Sequence, residues 1–116
     1  MGSLAENKRV VLRHVQALNA GDFDELERLV HPDFFDHAST PREDNGRHGA
    51  VKRLYAAHAG YRLEPLDIIA EGDRVTVRAR LDGNRSRQQI HIWRVLDGLI
   101  VEHWRSIAQE KEERDE

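Results

Sequence analysis

Residues 97–105, Asp-Gly-Leu-Ile-Val-Glu-His-Trp-Arg, place a histidine and an arginine two apart near the end of the chain. An imidazole titrates near neutral pH and moves protons. A guanidinium is a fixed, fork-shaped cation that grips carboxylates and steadies developing oxyanions. The Asp97-Gly98 pair supplies the positive φ angles of a two-residue hairpin turn. The strand after it puts Val101, His103 and Arg105 on one face, with Ile100, Glu102 and Trp104 on the other. Two arrangements fit this spacing: a strand lining a pocket, or an edge strand with one wet face.

What must position these groups is one domain. The chain has 116 residues, enough for a single self-sufficient core. It has no cysteine, hence no disulfide framework, thiolate metal site or cysteine nucleophile. Net charge is −3, and the segment Glu110–Glu116, with five acids and two bases, accounts for all of it. A neutral body argues against a nucleic-acid surface. No apolar run is long enough to cross a bilayer, and no signal peptide is expected. A cytoplasmic domain over residues 1–109 with a charged, disordered tail over 110–116 is the expectation.

Apolar spacing predicts a helix over Leu4–Ala20, closed by Gly21. Asp22 and Glu25 read as the capping box of a short second helix that Pro32 stops. Asp33–His37 reads as extended, Ser39–Arg47 as a loop, and Gly49–Ala59 as a third helix. Four strands follow: Tyr61–Ala70, which Pro65 marks as an edge or a bulge, then Arg74–Leu81, Ser86–Leu96 and Leu99–Ile107. Three helices ahead of an antiparallel meander predict an α+β domain with the helices on one face of a curved sheet.

The run His91-Ile92-Trp93-Arg94-Val95-Leu96-Asp97-Gly98-Leu99-Ile100-Val101-Glu102-His103-Trp104 resembles the strand–turn–strand of the SnoaL-like branch of the NTF2-like superfamily. Phe34-Phe35-Asp36-His37, the later Gly46-Arg47 and the Gly72-Asp73 turn are similar to that family as well, and the likeness spans Leu4 to about Ala108. It implies an NTF2-like cone with a deep pocket, paired as a homodimer through the outer sheet face. Its members include polyketide cyclases, isomerases, dehydratases, epoxide hydrolases and non-enzymatic adaptors.

In the family orientation Arg78, Arg80, His91, His103 and Arg105 point into the pocket, His37 stands near its mouth, and Trp93 and Tyr55 line it. The implied roles are proton movers for His37, His91 and His103, and ligand holders for Arg78, Arg80, Arg105, Trp93 and Tyr55. The ligand would be an anionic or enolisable small molecule, and the chemistry would need no cofactor or metal; no His-x-His or His-Glu-x-x-His spacing occurs. Two positions where family acids often stand hold Arg105 and His91. A counter-charge for the buried cations must then come from Asp36, Asp82 or the ligand. Arg80-Leu81-Asp82 resembles part of the epoxide hydrolase signature, whose second aspartate would fall at or next to Arg105.

The alternation of the strand from Arg74 supports the opposite orientation, with Val75, Val77, Ala79 and Leu81 toward the helices and Arg78 and Arg80 toward water. A non-catalytic binding or structural protein that has lost the family aspartate fits the same residues.

Overall fold

The computed structural model describes residues 2–38, 46–57, 62–82 and 87–108. In chain order these form α1 (Leu4–Ala20), α2 (Phe23–Leu29), β1 (Val30–Asp36), α3 (Gly46–Ala57), β2 (Arg62–Glu71), β3 (Arg74–Asp82), β4 (Arg87–Leu96) and β5 (Leu99–Ala108). The expected tail and residues 39–45 and 83–86 lie outside the described residues, and Gly46 and Arg47, expected as the end of the Ser39–Arg47 loop, open α3 instead.

Local chemistry sets the element ends. Ser3 and Glu6 form a reciprocal capping box at the start of α1, with bonds of 3.0 and 3.1 Å. Gly21 closes α1 at φ 73°, a left-handed conformation that costs glycine nothing. Asp22 caps α2 by accepting from the Glu25 N–H at 3.2 Å. Glu25 does not complete a second box, because its carboxylate is held by Arg13 at 2.6 Å and Arg28 at 3.0 Å. At the last hairpin both Asp97 (φ 51°) and Gly98 (φ 80°) take positive φ, as the tight turn requires.

The five strands form one sheet in the order β1-β5-β4-β3-β2. Strands β2 to β5 are the expected antiparallel meander. The sheet as a whole is mixed, because β1 pairs with β5 in parallel. Side-chain alternation reports faces and not strand direction, so the sequence could not reveal this. A parallel neighbour requires a long connection, and here the whole stretch from α3 to β4 lies between the two strands. β1 and β2 are the edges, and each carries a proline, Pro32 and Pro65, beside an irregular register step. Edges tolerate proline because its missing N–H would face outward.

The core lies between the helices and the inner sheet face. Val11, Val15, Phe34, Leu63, Val75, Val77, Trp93, Val95 and Ile100 are its buried members. Since Val75, Val77 and Ala79 are fully buried, Arg78 and Arg80 must project from the opposite face of β3. There they pair with Asp67 at 2.8 Å and Glu64 at 3.2 Å. Amphipathic patterning therefore decides β3, and the pocket orientation expected for the two arginines is corrected.

The Asn19 amide clamps α1 to the β2 edge, donating to the Leu63 carbonyl and accepting from the Leu63 N–H, both at 2.8 Å. Replacing Asn19 by alanine strips both partners from that backbone unit. An Asn19→Ala variant is expected to lose about 1–3 kcal/mol of unfolding free energy, read from its urea midpoint. A midpoint equal to that of the unaltered protein would show that water replaces the clamp at no cost.

Candidate functional site

Sheet register assembles the site. Asp36 lies opposite His103 across the parallel β1–β5 pair, and His103 lies opposite Trp93 across β5–β4. One step along, Arg105 lies opposite His91, and His91 opposite Val77. Directly opposed residues share a sheet face, so Asp36, His103, Trp93, His91 and Arg105 all stand on the inner side. The short neighbours Val75, Val77 and Ala79 leave height above the sheet for the rings.

The two imidazoles form a row against one indole. His91 lies flat against Trp93 with centroids 4.9 Å apart and planes 4° apart, and His103 stacks on the same indole at 5.0 Å. From α1, His14 meets Trp93 edge-on at 5.5 Å. Val11, His14 and Leu18 share one helix face at three- and four-residue spacing, and all are buried.

A hydrogen-bond chain runs through the row. Asp36 Oδ1 meets His103 Nδ1 at 2.9 Å, His103 Nε2 meets His91 Nδ1 at 2.8 Å, and His91 Nε2 meets Gln89 Oε1 at 2.8 Å. The Ala38 N–H donates to Asp36 Oδ1 at 2.9 Å, and Arg53 stands 3.7 Å from Oδ2. Gln89 and His91 are each 2% exposed, so that end of the chain is shut away from bulk water, while the Asp36 end is only partly buried.

Protonation follows from who can donate. Burial alone would raise the Asp36 carboxyl, but the hydrogen bond and charge of His103, the Ala38 N–H and Arg53 outweigh it and hold the group below its usual range. An ionised Asp36 only accepts, so His103 Nδ1 carries a hydrogen. With the Gln89 oxygen against it, His91 Nε2 carries one too. The contact between the two rings needs a third, which makes one imidazolium of the pair. Burial first, then the charges of His103 and Arg105, push His91 down to about 3, so His91 is the neutral member. Rotating the Gln89 amide reverses the count. Its NH2 then donates to His91 Nε2, and both rings are neutral. The two amide orientations thus differ by one proton on the chain.

The sequence-expected residues divide three ways. His91, His103 and Trp93 come together in the interior, and Arg105 shares their face at its exposed end. Arg78 and Arg80 do not join them. Nor does His37, which was expected at the pocket mouth. Its neighbour Asp36 takes the inner side, so His37 falls on the outer face, where it stacks on Trp104 at 4.8 Å and bonds Glu102 at 2.8 Å. The side chain of Tyr55, on α3, lies outside the described residues. Reasoning from sequence passed over Gln89, His14 and Arg53, and named Asp36 only as a counter-charge. Gln89 shares the parity of His91 and Trp93, and His14 the stripe of Val11 and Leu18, so a polar residue on a buried face was the signal.

A pH dependence of stability follows. Burial pushes His14, like His91, from 6.5 down to about 3. Between those values the unfolded chain binds protons that the folded chain does not, so stability is full above about pH 7 and falls as pH drops. Each ring is expected to remove on the order of 2 kcal/mol between pH 7.5 and 5. Asp36, held low, adds a loss of the same sign at more acidic pH. Denaturant titrations at the two pH values check this, and equal midpoints would mean that the rings take up protons within the fold.

The sequence profile of the SnoaL-like domain matches residues 11–103. No curated protein matches in sequence. Among solved structures, TsrD from Streptomyces laurentii superposes with a TM-score of 0.80 at 21% identity, covering 92% of this chain and 91% of that one. AclR, a candidate hydroxylase from Streptomyces galilaeus, gives 0.74 at 27% identity over 91% of each chain. A candidate polyketide cyclase from Sinorhizobium meliloti gives 0.76 at 24% identity, over 84% of this chain and 94% of its own.

Proposed function

The chain belongs to the SnoaL-like family, and from that premise we propose that it is a cofactor-independent acid–base enzyme acting on a carbonyl- or epoxide-containing small molecule. Cyclisation, isomerisation, dehydration and epoxide hydrolysis all fall within this chemistry. The observation that carries the reading is the buried chain from Asp36 through His103 and His91 to Gln89. It holds a mobile proton at one end of a dry site, with a fixed carboxylate behind it.

The roles follow from that geometry. A substrate oxygen displaces the Gln89 amide from His91 Nε2. A ring held to about 3 is a weak base, but on receiving a proton from His103 it becomes a strong acid toward that oxygen. Asp36 stays ionised and steadies the imidazolium, and Arg105 at the outer end offers positive charge to an enolate or alkoxide. With Arg78 and Arg80 on the other face, the interior favours an uncharged substrate that gains charge during reaction over a bound anion. A second copy of the chain would cover the outer sheet face, where Phe35, Ile69 and Ile90 are exposed.

One observation favours the competing reading of a non-catalytic binder: every ring nitrogen of His91 and His103 already has a protein partner. The two readings separate in hydrogen–deuterium exchange at the α-carbons of cyclohexanone and in opening of styrene oxide. The enzyme reading expects turnover of one of them above buffer, reduced about 100-fold or more in His103→Asn and in Asp36→Asn. Binding of these probes without turnover, or variants as active as the parent, would leave the binder.

A further inference from the structure

His14 has no part in the proton chain, yet its burial is nearly complete at 6% exposure. Its Nδ1 is fully buried and makes no hydrogen bond. An unpartnered polar atom of this kind carries its whole desolvation cost, and native interiors keep few of them. Nothing in the packing calls for the nitrogen. Edge-on contact with Trp93 at 5.5 Å would suit a phenylalanine equally well. Burial pushes the ring to about 3, so at neutral pH it is uncharged and offers one N–H and one lone pair. It meets the same indole that His91 and His103 stack on, and does so from the helix side.

We propose that His14 is a ligand-binding residue whose buried Nδ1 hydrogen-bonds an uncharged oxygen, ketone or hydroxyl, of a small molecule held against Trp93. The inference rests on the reading above that the interior takes a small-molecule substrate, and it names the substrate's second polar contact. The chemistry selects a neutral group. His14 and His91 bring no positive charge, the one imidazolium, His103, is already matched by Asp36, and Arg78 and Arg80 face away, so a buried anion at Nδ1 would lie uncompensated. A site shaped this way gives up stability in the empty protein for affinity in the loaded one.

The test pairs cyclohexanone with cyclohexane, which differ by the oxygen alone, against the parent and His14→Phe. Phenylalanine keeps the ring and deletes the orphaned atom. The variant is expected to unfold at the same or a higher temperature than the parent. It should bind cyclohexanone about fivefold more weakly, with cyclohexane binding unchanged. In the parent, the ring-nitrogen NMR signal of His14 should shift with cyclohexanone and stay still with cyclohexane, a readout that needs no folded variant. A lower melting temperature together with unchanged ketone affinity would assign Nδ1 to a structural water and overturn the inference. So would a His14 signal indifferent to the ketone. If α-carbon exchange is lost in His103→Asn but ketone affinity persists in His14→Phe, this inference fails while the acid–base reading stands. If ketone affinity depends on His14 but no turnover occurs, the reverse holds.

Discussion

The contact on which the rest depends is the Asp36–His103 bond across the parallel edge of the sheet. A histidine pair buried among valines and an indole needs a counter-charge, because an unpaired buried cation would neutralise or unfold the site. Antiparallel strands β4 and β5 supply the two rings but no acid on that face. β1 brings one. By adding alongside β5 in parallel, it sets Asp36 at the level of His103 and leaves His37 on the far side. The Ala38 N–H and Arg53 then hold the carboxylate in place from beyond the strand end. One strand pairing therefore converts a polar liability in the core into a connected network.

The two sheet faces show how differently charge is handled inside and out. On the outer face Arg94 meets Glu102 at 2.7 Å and Asp73 at 3.4 Å, Arg78 meets Asp67, and the Arg74 guanidinium lies 4.9 Å over Trp104. These pairs are half-exposed, and such pairs contribute little stability each. They keep a ladder of charged side chains soluble and in register. On the inner face each polar atom matters, because there is no water to take over a lost bond. The His14 nitrogen stands out against this background as an interior ring atom, among the described residues, that the fold leaves without a hydrogen bond.

Much of the fold was legible. The helix ends follow from Ser3, Glu6, Gly21 and Asp22, whose side chains or φ freedom act within a few residues. The strand limits follow from strict alternation, and Pro65 marks an edge for a reason internal to proline. Legibility failed where a side chain's partner came from a distant element. Glu25 matches a capping box in spacing, but Arg13 and Arg28 claim its carboxylate. His37 stands beside an acid in a motif-like run, yet alternation places only one of the two on the inside, and the β5 register decided that it was Asp36.

By itself, then, the sequence determined the elements, their order and the α+β class, because these depend on periodicity and on residues a few positions apart. It also made the inner histidines visible as polar interruptions of an apolar face. Tertiary structure alone decided which acid serves them, that β1 runs parallel, that Gln89 terminates the chain, and that His14 is left without a partner. Each of those is a contact between segments tens of residues apart in the chain. Register and helix docking create such contacts, and no local spacing encodes them.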